Sequence, residues 1–257
     1  MELEILDLGR IQCKKLELVA TENEEERIYS PMVSVLIRHP QLGTIVYDTG
    51  NSPFYSTEYP QEELITYPID TFISIEDALA EKGLTPSDVD MLIISHLHFD
   101  HVGGLRYFRG TKAIQNVIVS DADLREACAR TMTGNGGAYM KPLFDFEGVC
   151  YKTVGDEGLK LADDLELFVQ KSHTPGCMGM IVNTKDKGTV IFTSDTIYTR
   201  ESYEKALAPG GAINKTTDEF YDNLHRIQAM EKEMNATLFF GHDYDQAQQW
   251  RNKGIIR

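Results

Sequence analysis

The sequence predicts a mixed α/β fold in one domain, and three observations carry that reading. Short apolar runs rich in β-branched and aromatic residues recur from one end of the chain to the other, most of them bounded by Gly, Pro, Asp or Asn. A smaller number of stretches carry helical periodicity with capping signals. No linker or low-complexity tract divides the 257 residues. That length suits one large domain or two small ones, and the absence of a divider favours one.

Taken in order, the strand runs are "LEILDL", "KLELV", "VSVLIR", "TIVYD", "MLIIS", "NVIVS", "LELFVQ", "GMIVN", "TVIFTS" and "ATLFF". Between them, "SIEDALAEKG" opens with Ser74 and Asp77 at capping-box spacing and stops at Gly83. "TTDEFYDNLHRIQAMEKEM" repeats the box at Thr216 and Glu219, then sets Phe220, Leu224, Ile227 and Met230 on one stripe. "DADLREACAR" and "DQAQQWR" are shorter helical segments. "TIVYDTG" (44–50) and "TVIFTSDT" (189–196) echo each other as apolar strands ending in Asp-Thr, which suits a fold of two similar β-rich halves.

Composition narrows the function classes. Apolar residues at 42% and charged residues at 25% are ordinary for a globular core. A net charge of −15 repels nucleic acid and anionic membranes, so neither is an expected partner. No apolar run approaches the roughly 18 residues of a membrane span. The start "MELEILDLGR" lacks the basic and apolar regions of a signal peptide. Cys13, Cys128, Cys150 and Cys177 are scattered without a CxxC pair. Reduced thiols and a cytoplasmic location are therefore expected. A homodimer is compatible with the chain, although nothing in the sequence fixes it.

The chemistry concentrates in "SHLHFDH", residues 95–101, directly after an apolar run. Of the seven histidines in the chain, three stand in this heptapeptide. Alone it reads as a histidine-rich loop. Three further loops change that: "KSHTPGC" around His173, "FTSDT" around Asp195 and "FFGHD" around His242. Each flanks a strand run, where a rigid scaffold presents functional groups. Side chains at i and i+2 of an extended segment point the same way, so His96 and His98 can grip one ion, with Asp100 and His101 facing a second. Imidazole and carboxylate suit zinc, and also iron or manganese. Asp195 can bridge, leaving His173 and His242 to complete one ion each. His39 and His225 read as surface or packing residues.

"HLHFDHVGG", "HTPG", "SDT" and "GHD", with "YDTG" upstream, together resemble the five signature segments of the metallo-β-lactamase superfamily, over residues from about 44 to 243. The resemblance implies a four-layered αββα sandwich spanning residues 1–257 as a single domain, with a dinuclear site at one edge. It assigns His96, His98 and His173 to the first of two divalent ions, Zn2+ foremost, with Fe, Mn or Co as the other ions such a site takes. Asp100, His101 and His242 match the ligands of the second ion, Asp195 the bridge, and Asp48 the aspartate that supports the metal loop from behind.

Within the superfamily, the form of the metal loop, the "DTIY" that sets Tyr198 three residues after Asp195, and "FFGHD" resemble the N-acyl homoserine lactonases. That branch implies metal-assisted opening of a lactone. Asp100 would shuttle the proton and Tyr198 would face the substrate carbonyl, the alternative for Tyr198 being a packing aromatic. Other esters, thioesters and a metal-bearing binding protein without turnover are the remaining readings. A flavodiiron protein is excluded by the lack of HxExD, and a serine esterase by the lack of GxSxG. Cys177 stands where relatives often have histidine. The acidic "ATENEEERIYSP" does not match the loop that shapes the acyl pocket in that branch. Phe54, Tyr55, Tyr59, Tyr67 and Phe72 are candidates for an apolar pocket wall, and the glycine-rich "TMTGNGGAYMKP" (131–142) is an insertion expected over the site.

Overall fold

The structure, a computed structural model, describes residues 1–210 and 217–257. Thr216, proposed above as a helix cap, lies outside them. The first sheet contains β1 (Glu2–Lys14), β2 (Arg27–His39), β3 (Gly43–Tyr47), β4 (Ile69–Phe72), β5 (Met91–Ile93), β6 (Val117–Ser120) and β7 (Tyr151–Val154), in the spatial order β4-β1-β2-β3-β5-β6-β7. The second contains β8 (Leu159–Ala162), β9 (Leu165–Gln170), β10 (Cys177–Thr184), β11 (Gly188–Phe192) and β12 (Thr237–Phe239), in the order β12-β11-β10-β9-β8.

Alternation along the strands explains the layers. Val35, Ile37, Ile45, Tyr47, Ile93 and Ile118 face the second sheet, where they meet Leu167, Met180, Val190 and Phe192 in one core. Their neighbours Leu36, Val46, Leu92 and Val117 point the other way, into a core shared with the helices Ile75–Ala80 and Asp121–Met132. Strands buried on both faces read as continuous apolar runs, which is why β5 and β6, paired in parallel, appeared as unbroken stretches. On the far side of the second sheet the helix Thr217–Met234 lays down Phe220, Leu224 and Ile227, with Met230 at the margin. The result is helices, sheet, sheet, helix: the expected four layers. Truncation of a side chain as deeply set as Leu36, which is 0% exposed, costs about 2–5 kcal/mol.

Local signals held where they were strongest. Ser74 caps its helix by accepting from the Asp77 backbone N–H at 3.0 Å. One strand assignment is corrected: "KLELV" is a helical turn, Lys15–Leu18, closed by Val19 N–H donating to Lys15 O at 2.8 Å. Its alternation reflects burial of Leu18 and Val19 in a small cluster with Cys13 and Tyr198, not membership of a sheet. The two echoing strands, β3 and β11, fall in different sheets. Both run into a left-handed residue just beyond their ends, Asp48 (φ 62°) and Ser194 (φ 49°). Such a conformation costs roughly 1–2 kcal/mol outside glycine and is tolerated best by Asp and Asn.

Candidate metal centre

Loops following β3, β5, β9, β11 and β12 converge at one edge of the sandwich and carry the seven expected ligands together with Asp48 and Tyr198. Glycines let them approach. A Cβ on Gly103, in "HVGG", would stand 2.3 Å from Ser52 N, so the segment after His101 can lie against the "DTGNS" loop only without a side chain. At Gly176, in "HTPG", a Cβ would meet Ser120 Oγ at 2.0 Å.

Two groups of donors result. In the first, His173 Nε2 lies 3.0 Å from His96 Nε2 and 2.9 Å from His98 Nδ1, three ring nitrogens turned toward one point. In the second, Asp100, His101, Asp195 and His242 close on one another. His242 Nε2 is 3.1 Å and His101 Nε2 3.3 Å from the Asp195 carboxylate. Asp195 also faces the first group, at 3.6 Å from His173 Nε2 and 3.8 Å from His96 Nε2. One carboxylate therefore stands between both.

The outer contacts fix ring orientation. Asp48 accepts from the Ser95 backbone N–H at 2.7 Å and from His101 Nδ1 at 2.9 Å. That leaves His101 Nε2 buried, without a hydrogen-bond partner, and facing the Asp100 and Asp195 carboxylates at 3.6 and 3.3 Å. Such an arrangement is unfavourable unless a cation lies between the groups, so the donors fit a metal ion. Ser30 Oγ meets His242 Nδ1 at 2.7 Å, and Ser95 Oγ meets His96 Nδ1 at 3.1 Å. Tyr198 Oη lies 2.7 Å from His173 Nδ1. Partners of this kind select the tautomer that presents a lone pair to an ion.

Electrostatics separate the groups. Burial holds the His96 and His98 rings well below their usual pKa, and brings His173 down to about 4, so all three are neutral lone-pair donors near pH 7. Burial acts the same way on His101, yet Asp195, Asp100 and Asp48 outweigh it and favour positive charge there. Asp195 is buried too, but His242, His101 and His96 hold its carboxyl well below the ordinary range. Burial raises the Asp100 carboxyl. Cys177 is inert: fully buried, with burial pushing its thiol up to about 12, and in contact with Ser194 Oγ at 3.4 Å.

A cavity of about 290 Å³ opens onto the first group. Ile11, Leu18, Tyr67, Phe99 and Tyr139 give it apolar wall, and Asp100, His173, Asp195, Tyr198 and His242 its polar end. The sequence reading of the wall was half right. Gly136–Tyr139 of the glycine-rich insertion line it, as expected of 131–142. Of the five aromatics in 51–72, Tyr67 alone does so. Tyr59 is buried and hydrogen-bonds Asn51 and Phe99 O, Tyr55 packs on Phe72, and Phe54 is 55% exposed. Ser30, Asp123 and Tyr139 were not foreseen. His39 packs against Asp164 at 2.8 Å and His225 is exposed, both away from the site.

A two-sheet sandwich whose strand ends bring two cation-seeking clusters together at one shared carboxylate has the architecture of a binuclear metalloprotein. Residues 31–242 match the metallo-beta-lactamase superfamily, and the chain belongs to it. It is 28% identical over 177 residues to the N-acyl homoserine lactonase of Bacillus thuringiensis, a match spanning 69% of this chain and 65% of that protein's length. It is 25% identical over 264 residues to the N-acyl homoserine lactonase AttM of Agrobacterium fabrum, covering 98% of this chain and 95% of the relative. Among solved structures, an N-acyl homoserine lactone hydrolase with N-hexanoyl-L-homoserine at its catalytic metal centre has the same fold, with a TM-score of 0.83 at 23% identity over 96% of this chain and 95% of that one. A dizinc quorum-quenching lactonase gives 0.68 at 15% identity, over 94% and 87%.

Proposed function

We propose that this chain is a dinuclear-metal hydrolase that opens a lactone ring, with N-acyl homoserine lactones as its substrates. The observation that carries the reading is the position of Asp195, within 3.8 Å of ring nitrogens in both clusters. The names of the relatives, one of them matched over 95% of its length, support the choice of substrate. In this reading His96, His98 and His173 hold one ion, Asp100, His101 and His242 the other, and Asp195 both. Zinc is the proposed metal, since imidazole and carboxylate are its ligands. When bound, the two ions supply Lewis acidity and lower the pKa of water.

The chain's own residues do the rest. A cavity near 290 Å³ is close to the lower bound of small-molecule sites, about 300 Å³, and suits an acylated ring. Its apolar wall excludes water from the acyl chain. Asp100, which lines the cavity, accepts the proton of the attacking water at its carboxylate and returns it to the leaving alkoxide. With His173 Nε2 given to an ion, Nδ1 carries the ring hydrogen and donates to Tyr198 Oη. The tyrosine's own proton is then free to point into the cavity, where it stabilises negative charge growing on the carbonyl oxygen. The proposed setting is the cytoplasm, where the exposed thiols Cys128 and Cys150 remain reduced.

A screen of the zinc-loaded protein across acyl lactones, simple esters, glutathione thioesters and a chromogenic β-lactam tests this. Lactones are expected to turn over fastest. Inert lactones beside an active thioester would reassign the substrate, and a protein holding two ions without any turnover would be a binding protein.

A further inference from the structure

Five histidines face the two clusters, and four have the remaining ring nitrogen hydrogen-bonded: His96 to Ser95, His101 to Asp48, His173 to Tyr198 and His242 to Ser30. His98 is the exception. It turns Nδ1 toward the cluster, and among the described residues no hydrogen bond meets its Nε2. A ring that is free at Nε2 and attached by a rotatable stem needs another restraint to keep Nδ1 aimed.

The surroundings supply one. The Tyr139 ring stands edge-on to His98, with centroids 4.6 Å apart. The backbones of the two residues form an antiparallel bridge, and Phe99 N–H donates to Ala138 O at 3.0 Å. Tyr139 is itself tied down, because its hydroxyl donates to Asp123 Oδ1 at 2.8 Å. The other oxygen, Asp123 Oδ2, accepts from the Leu97 backbone N–H at 2.7 Å, between His96 and His98. Asp123 is 0% exposed, and Tyr139 is 4% exposed.

We propose that Asp123 and Tyr139 are a positioning pair for His98, the carboxylate pinning the metal loop and the tyrosine to each other so that Nδ1 stays aimed at its ion. The inference rests on the reading that His98 binds metal. The pair has a second consequence: Tyr139 also lines the substrate cavity, so the wall of the cavity and the aim of the ligand are set by one contact.

Zinc affinity of the full chain, measured by competition with a chromogenic chelator, provides the test. In Tyr139→Phe one of the two zinc ions is expected to bind about 10- to 100-fold more weakly, the scale of lost outer-contact support, while the other keeps its affinity. The cobalt-loaded variant is expected to show a changed visible spectrum, since the ligand field at one ion is altered. In metal-free Asp123→Ala the Leu97 amide should exchange with solvent at least about tenfold faster; if that variant does not fold, Tyr139→Phe decides alone. Two zinc ions bound with unchanged affinity and an unchanged cobalt spectrum in Tyr139→Phe would overturn the pairing. Lactone inertness of the unaltered protein, with the variant effects intact, would overturn the substrate and leave the pair standing. An unaltered chain that takes up no zinc would overturn both.

Discussion

The two clusters share Asp195 but are built on different principles. The histidine trio offers three neutral nitrogens, with His173 Nε2 3.0 Å from His96 Nε2 and 2.9 Å from His98 Nδ1, and no carboxylate of its own. The second cluster sets Asp100 and Asp195 against His101 and His242, with Asp48 behind His101. Their supports differ in kind as well. Tyr198, Tyr139 and Ser95 contact the trio, whereas Asp48 and Ser30 contact the second cluster, so only the second has an acid behind a ring. A divalent ion at the trio would be held by three neutral lone pairs and the shared Asp195; one at the second cluster would also meet the charge of Asp100. Removing an oriented aromatic should therefore disturb the trio alone, and removing a buried acid the second cluster first.

Chelation probes the comparison most severely. Stepwise treatment with a chelator should release the trio's ion before the other and abolish hydrolysis once both are gone. If zinc had been present at about a thousand times its dissociation constant, its loss removes about 4 kcal/mol of stability, seen as a fall of roughly 10 °C in the melting midpoint. Simultaneous release of both ions would show that the clusters do not differ in the way their charges imply. Next comes Asp195→Ala, which takes the shared carboxylate from both. Bound metal, by elemental analysis, should fall from two ions to one or fewer, and lactone turnover by on the order of a thousandfold. Full occupancy in that variant would remove Asp195 from its central place.

Asp48→Asn sharpens the contrast. It keeps the shape while weakening the acceptor for His101, so affinity at the second cluster and turnover should drop about 10- to 100-fold, with the trio unaffected. Equilibrium zinc titration would show whether the loss is confined to one ion. Tyr198→Phe is the smallest change. Turnover should fall roughly tenfold to a hundredfold in kcat with KM little moved, because a donor to the developing oxyanion is lost while an ion still shares that charge. Both ions should remain at saturating zinc. Normal turnover would leave Tyr198 as a packing residue, in keeping with its burial beside Cys13, Leu18 and Val19.

The sequence by itself determined a mixed α/β domain through its strand and helix runs, the four-layer class through its resemblance, and the seven side chains that the fold gathers into two clusters. The domain class and the clustered side chains follow from local chemistry: apolar runs that must be buried, and ligand types whose spacing at strand ends has few other uses. It did not determine how the donors are held. Ser30 stands 212 residues from His242, and Asp123 sits in the first turn of a helix, where an acid is unremarkable. Nothing local marks either one, because their partners arrive only with the tertiary fold: stacking of the sheets brings His242 to Ser30, and packing on the outer side of the first sheet brings Leu97 and Tyr139 to Asp123. The same holds for the cavity wall. Tyr59 and Tyr67 are alike as letters, yet one hydrogen-bonds into the core and the other lines the cavity. "KLELV" shows the converse: its alternation predicts a strand, but β1 already ends at Lys14, and the chain must turn there to bury Leu18 and Val19 beside Tyr198. Donor chemistry is a property of residues; orientation is a property of contacts between segments far apart in the chain, and packing alone decides those.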